Sequence, residues 1–177
     1  AGDPVRVIVG SCGEVGPLTP APCPLFYLPL HYSLHHRAIP NRVDATMTYA
    51  LDRAQFERIS SLSANARFEE FVSRSTLHQQ LWGLRSANGW AVVDAEGDDC
   101  FPVWPHPDFA AAWAVGDLAD CTPQAIALEA WLTRWTPGME KDGTLVLVFP
   151  TNDDDDEGMV MSASELEDAL LGAMGGR

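Results

Sequence analysis

Asn88-Gly89 stands between two apolar runs, 81–86 and 90–95. Both residues tolerate positive φ, so the pair is a strong short-range hairpin signal. It requires the chain to fold back on itself and makes the two runs antiparallel neighbours. A second turn at Gly97-Asp98-Asp99 leads into a third strand, 100–104, completing an antiparallel meander. Two-residue and three-residue connections leave no room for the crossover helices that parallel strands need.

Helical spacing flanks this meander on both sides. Asp52 and Gln55 have the spacing of a helix cap, and Phe56, Ile59 and Leu62 follow on one face. Phe68, Phe71, Val72 and Ser75 predict a second helix over 64–79. Beyond the meander, Pro107 suits the first turn of a helix over 107–115, with Phe109, Ala112 and Trp113 on its apolar stripe and Gly116 closing it. A short strand is expected at 125–128. Leu128, Trp131, Leu132 and Trp135 then predict a helix over 128–136, ended by Pro137-Gly138. The aliphatic run 144–149 reads as a buried strand and 158–161 as a last short one. Ser162 and Glu165 form a capping box for a final helix, 163–173. The expected fold is a single α+β domain over 47–177. Its central sheet is mostly antiparallel, with helices packed mainly on one face.

Residues 1–46 have a different texture. They hold more than half of the chain's prolines, which disfavours helix and central strand. They are expected to form an arm along the domain or a neighbouring chain, anchored by Phe26, Tyr27 and Tyr32, that can be deleted without unfolding residues 47–177. Gly10, Gly13 and Gly16 do not make a phosphate loop, because Pro17 and Pro20 exclude the helix such a loop requires.

Charge is the other strong asymmetry. Residues 1–46 are neutral and 47–85 sum to +1, whereas 86–177 hold eighteen acids against Arg134, Lys141 and Arg177, a net −15. Such a body repels phosphate backbones and anionic bilayers, so direct nucleic-acid or membrane binding is not expected; the acidity fits either a basic protein partner or simple solubility, the commoner reason for an acidic surface. No apolar run approaches the roughly 18 to 20 residues of a membrane span. No leader is recognised at the N-terminus, and a cytoplasmic location is expected. Five consecutive acids at 153–157 lack the alternating ligand spacing of a calcium loop and read as a solvated turn.

No metal or cofactor is expected. Cys12, Cys23, Cys100 and Cys121 form no CxxC pair. Cys12, Cys23, His31 and His35 fit no common zinc spacing.

The segments Leu81-Trp82-Gly83-Leu84, Asn88-Gly89-Trp90-Ala91, Phe101-Pro102-Val103-Trp104-Pro105-His106-Pro107, Ala125-Ile126-Ala127-Leu128, Asp142-Gly143 and Val148-Phe149-Pro150 together resemble a bacterial family known as domain of unknown function 2750. The resemblance covers about 49–174 and implies no catalytic role for any residue. The order of elements is also similar to the N-terminal domain of the enhanced serine-sensitivity protein SseB.

Candidate binding residues are Trp90, Trp104, His106 and Asp108. Trp90 and Trp104 lie on strands, where an indole faces either the core or a partner. Trp113, Trp131 and Trp135 belong to helical stripes and read as core. His106, between two prolines at a strand-to-helix junction, is either a helix cap or, with Asp108, an acid–base pair. No GxSxG or HExxH motif supports a nucleophile or a metal. The leading expectation is a small acidic protein-binding module, immunity- or inhibitor-like; the alternative is a small enzyme using His106.

Overall fold

The computed structural model describes residues 48–95, 97–152 and 158–176. The expected arm with its aromatic anchors, the Cys12, Cys23, His31, His35 set and the acidic run 153–157 lie outside the described residues.

Two helices open the fold. In α1 (Arg53–Ser60) the Asp52 carboxylate accepts the Gln55 N–H at 2.8 Å. In α2 (Ala64–His78) Phe71 and Ser75 are buried, and Gln79 ends the helix in the left-handed conformation (φ 55°). The chain then turns directly into β1 (Gln80–Ser86).

The hairpin after β1 forms, with its turn one residue earlier than Asn88-Gly89 implies. Ser86 pairs with Gly89, so Ala87 and Asn88 make the turn and Gly89 alone takes positive φ. The Ser86 hydroxyl supplies the reason: its Oγ accepts the Asn88 N–H at 3.2 Å, a side-chain turn that needs no left-handed residue.

The expected return strand 90–95 is divided between two sheets. β2 (Gly89–Trp90) pairs with β1, and β3 (Val93–Ala95) pairs with β4 (Asp98–Val103). The first sheet has the order β2-β1-β5, where β5 (Thr122–Ala127) is an edge strand and so tolerates Pro123. The second has the order β3-β4-β6-β7, with β6 (Leu145–Val148) parallel to β4 and β7 (Met159–Met161) antiparallel to β6. The sheets meet at one point, where Trp82 and Trp104 exchange two backbone hydrogen bonds of 2.8 Å. Pro102 has the same parity as Trp104, so its missing N–H faces away from β6. It lies past Cys100, which pairs with Val93, the first residue of β3, and costs no ladder bond there. On β1, Gly83 leaves room for aromatic rings: a Cβ there would stand 3.0 Å from Phe101 Cζ and 3.2 Å from Trp90 Cζ3.

α3 (Pro107–Trp113) packs on β1 and β5 and stops short of Gly116, which opens a separate 3₁₀ turn (Gly116–Leu118). From Leu128 the backbone is helical without a break to Asp142, through α4 (Leu128–Ala130), a π-helical turn (Trp131–Trp135) and α5 (Thr136–Asp142). Pro137-Gly138 therefore does not end the helix. Pro137 falls in the first turn after the π segment, where no helical N–H is missed, and Gly143 in the left-handed conformation is the true stop. α6 (Ala163–Gly175) carries the capping box between Ser162 and Glu165 and packs on α2, α5 and β6. The described residues form one α+β domain. Its core runs from Ile59 and Phe71 through Leu81, Leu84, Val103, Trp104 and Trp131 to Val146, Phe149, Leu166 and Leu170. Among the described residues no helix is long and apolar enough to cross a membrane.

Candidate functional site

β4 and β6 are parallel neighbours, so the chain leaves both at the same end of the second sheet. Each strand runs into a proline-bearing turn with buried aromatic side chains, and the two turns differ in chemistry.

After β4 come Trp104, Pro105 and His106, all buried. Trp104 is fully enclosed: its ring leans on Trp113 at 5.2 Å and its indole N–H donates to the Pro150 carbonyl at 3.0 Å. It is therefore a core residue with no face free at the surface. His106 is 3% exposed and caps α3. Its Nε2 lies 2.9 Å from the Tyr49 carbonyl, which can only accept, so Nε2 carries the proton. Nδ1 then accepts the Asp108 N–H at 3.2 Å. Both ring nitrogens are engaged. The Asp108 carboxylate is exposed and 3.6 Å from Nδ1, beyond a hydrogen bond.

Tyr49 joins this node to α2. Its ring stacks on His78 at 4.2 Å and tilts against His106 at 4.6 Å, with the Arg74 guanidinium 5.2 Å from the ring centroid. Arg74 pairs with Glu70 at 2.7 Å, and Arg58 approaches the same carboxylate at 3.6 Å. Burial, with Arg74 and His106 close by, holds the His78 pKa below its ordinary value. Burial raises that of Tyr49, outweighing the opposing pull of Arg74. Sequence reading missed this node because Tyr49, His78 and His106 belong to three separate segments, and no spacing rule connects them.

After β6 the chain is strained. Phe149 is fully buried and has φ 49°, a conformation that costs a bulky residue about 1–3 kcal/mol. Its neighbours hold it there. The Phe149 N–H donates to the Val103 carbonyl at 2.9 Å, the buried Arg67 Nε donates to the Phe149 carbonyl at 3.1 Å, and Trp104 takes the Pro150 carbonyl. Arg67 also reaches the Leu62 carbonyl at 2.7 Å. The turn forms one wall of a cavity of about 180 Å³. Phe56, Phe109, Trp113 and Pro150 complete the apolar lining. Phe56 stacks on Phe109 at 4.9 Å, and Phe109 leans on Phe149 at 4.7 Å. At the rim, the Asn152 amide donates to the Ala112 carbonyl at 2.8 Å, and both residues are exposed.

Trp90 lies elsewhere. Half-buried, it meets Trp135 edge-on at 4.9 Å and Phe101 at 5.8 Å, with Arg85 over its face at 5.6 Å. Of the four sequence candidates, the structure thus brings together Trp104, His106 and Asp108 and leaves Trp90 apart. Among the described residues no group of three or more His, Cys, Asp or Glu is placed to hold a metal ion. Cys100 and Cys121 are free and buried, and burial beside Asp98 pushes the Cys100 thiol up to about 11, so it is protonated at neutral pH.

The family model described as "Protein of unknown function (DUF2750)" matches residues 68–170. The chain belongs to this family. The DUF2750 match runs from within α2 to within α6, taking in all seven strands of the described residues, the capped His106 and the Phe149 turn, and leaving α1 and Tyr49 outside. No curated protein and no solved structure matches the chain.

Proposed function

We propose that this DUF2750 chain is a bacterial cytoplasmic protein-binding module that docks a basic protein partner, in the manner of an immunity or inhibitor protein. The observation that carries this reading is the charge asymmetry: −15 over residues 86–177 against +1 over 47–85. A field of that sign speeds encounter with a cationic partner and repels phosphate backbones. Individual exposed carboxylates contribute little affinity, about 0–1 kcal/mol each, so durable binding rests on apolar contacts. Trp90, half-exposed beside Arg85, is one candidate contact, with Asp108 on the exposed side of α3. Trp104 and His106 support the surface from within. The enzyme alternative is weakened by His106 itself, whose two nitrogens are both engaged.

The test is kinetic. Partners captured from the native host should be basic, and their association rates should fall steeply as salt is raised, because screening acts over about 8 Å at physiological ionic strength. Asp153→Asn, Asp154→Asn, Asp155→Asn and Asp156→Asn combined should slow association and leave dissociation nearly unchanged. An association rate independent of salt would sink the electrostatic reading.

A further inference from the structure

We infer that α1 is a lid on the aromatic cavity, latched by Tyr49 and released by acid through His78. The lid goes beyond the binding reading above and does not depend on it. Three observations carry it.

The first is how little holds α1 in place. It has eight residues, and isolated helices shorter than about 12 residues are marginal in water, so it persists only while docked. Ile59 is its one buried residue. Phe56 is half-buried, stacks on Phe109 at 4.9 Å and, with Ser60, forms the α1 side of the cavity of about 180 Å³. The other walls come from α3 and the Phe149 turn. Lifting α1 would therefore open the cavity to water and bare the rings of Phe109 and Phe149. Where α1 leads into α2, the Leu62 carbonyl is pinned by Arg67 at 2.7 Å, so that end is the hinge.

The second is the latch at the other end. The chain entering α1 is fastened through Tyr49. Its carbonyl accepts the His106 Nε2 proton at 2.9 Å. Its ring lies against three side chains: His78 at 4.2 Å, His106 at 4.6 Å and the Arg74 guanidinium at 5.2 Å. One residue thus ties the strap before α1 to both α2 and the junction after β4.

The third is the charge of this node. Arg74 sits one helical turn before His78, and His106 touches the same tyrosine ring. Two acids are close. Glu70 is already shared between Arg74 at 2.7 Å and Arg58 at 3.6 Å, and the Asp108 carboxylate is exposed to solvent. At neutral pH the stack holds one cation, Arg74. A proton on His78 adds a second one turn away, a like-charge pair that destabilises the helix surface. Burial and the Arg74 charge both oppose that proton in the latched state. Once the strap lifts, His78 is wetted and accepts it more readily. The latch is therefore fully closed above pH of about 6.5 and weakens as pH falls toward the folded pKa of His78.

The experiment is amide hydrogen exchange on the full chain, followed by NMR from pH of about 8 to about 5 and corrected for the intrinsic rate at each pH. The Phe56 and Ser61 N–H groups, which donate to the Asp52 and Glu57 carbonyls, report α1, and those of Trp82 and Trp104 report opening of the whole domain. α1 should be at least about tenfold less protected than the tryptophans, because it opens locally. Acid should lower its protection at least about twofold. The part of that fall removed by His78→Gln should be the same factor at α1 and at the tryptophans, because both openings free His78. Tyr49→Leu should lower α1 protection at pH of about 8 at least about threefold and leave the tryptophan amides the slowest in the chain. Equal protection of α1 and the tryptophans would overturn the lid. Unchanged α1 protection in Tyr49→Leu would overturn the latch. A wild-type pH response at α1 in His78→Gln, or none at α1 in the native chain, would overturn release by acid.

Discussion

The turns after β4 and β6 begin from neighbouring parallel strands and end differently. At the first, every polar atom on the His106 ring finds a partner, and His106 and Trp104 are sealed beneath the surface. At the second, a large residue is held in a strained conformation beside an apolar cavity. A paired, close-packed junction is what stability alone produces. Strain beside an apolar cavity is the opposite, and it makes the second turn the one whose conformation depends most on its neighbours. A buried histidine near a carboxylate attracts attention in a sequence, yet here it is the quieter of the two sites.

The difference can be probed from its strongest link to its weakest. Trp104 belongs to both turns, so Trp104→Ala should cost most, about 3–5 kcal/mol, and collapse the distinction between them. Denaturant unfolding should show the loss. Arg67→Met comes next: it removes the donor to the Phe149 carbonyl and exposes the strain, at roughly 2–3 kcal/mol. The same variant should shift the Asn152 amide signal while leaving that of Asp108 unchanged; if both turns move together, they are one unit and the comparison fails. His106→Ala should cost about 1 kcal/mol as a lost cap, and His106→Asn, which can still cap, should recover part of it. The smallest effect is the pH response of His78. Its folded pKa lies below the unfolded value of about 6.5, so the unfolded chain binds the proton more readily. The stability it contributes is present above pH of about 6.5 and declines as pH falls toward the folded pKa. Urea midpoints across that window should drop, and His78→Gln should flatten the slope.

Local signals carried most of the elements. The stripe from Phe68 to Ser75 places α2, the Ser162–Glu165 box starts α6, and the aliphatic run before Pro150 is β6, buried between β4 and β7. The features that stayed hidden depend on tertiary contact. Nothing within 90–95 says that its two ends join different sheets; that comes from Trp82 meeting Trp104. Pro137-Gly138 reads as a stop because a π-helical turn is invisible to a 3.6-residue period. The left-handed Phe149 contradicts its own propensity and is imposed by Arg67, some eighty residues away. The candidate site was half legible for the same reason. The segment Trp104 to Asp108 stood out as a motif, whereas the cavity is assembled from α1, α3 and the chain after β6, no two of which share a pattern.

The Trp82–Trp104 bridge bears on how the domain comes apart. It is a pair of hydrogen bonds between two sheets, and the indoles on either side are almost wholly enclosed, at 5% and 0% exposure. Peeling one sheet away would wet the interior of the other, so neither can act as an independent cooperative unit. The two tryptophan amides should therefore exchange their hydrogens only when the whole domain opens, at the slowest rate in the chain. Melting should be a single transition whether it is followed by far-ultraviolet signal or by tryptophan fluorescence.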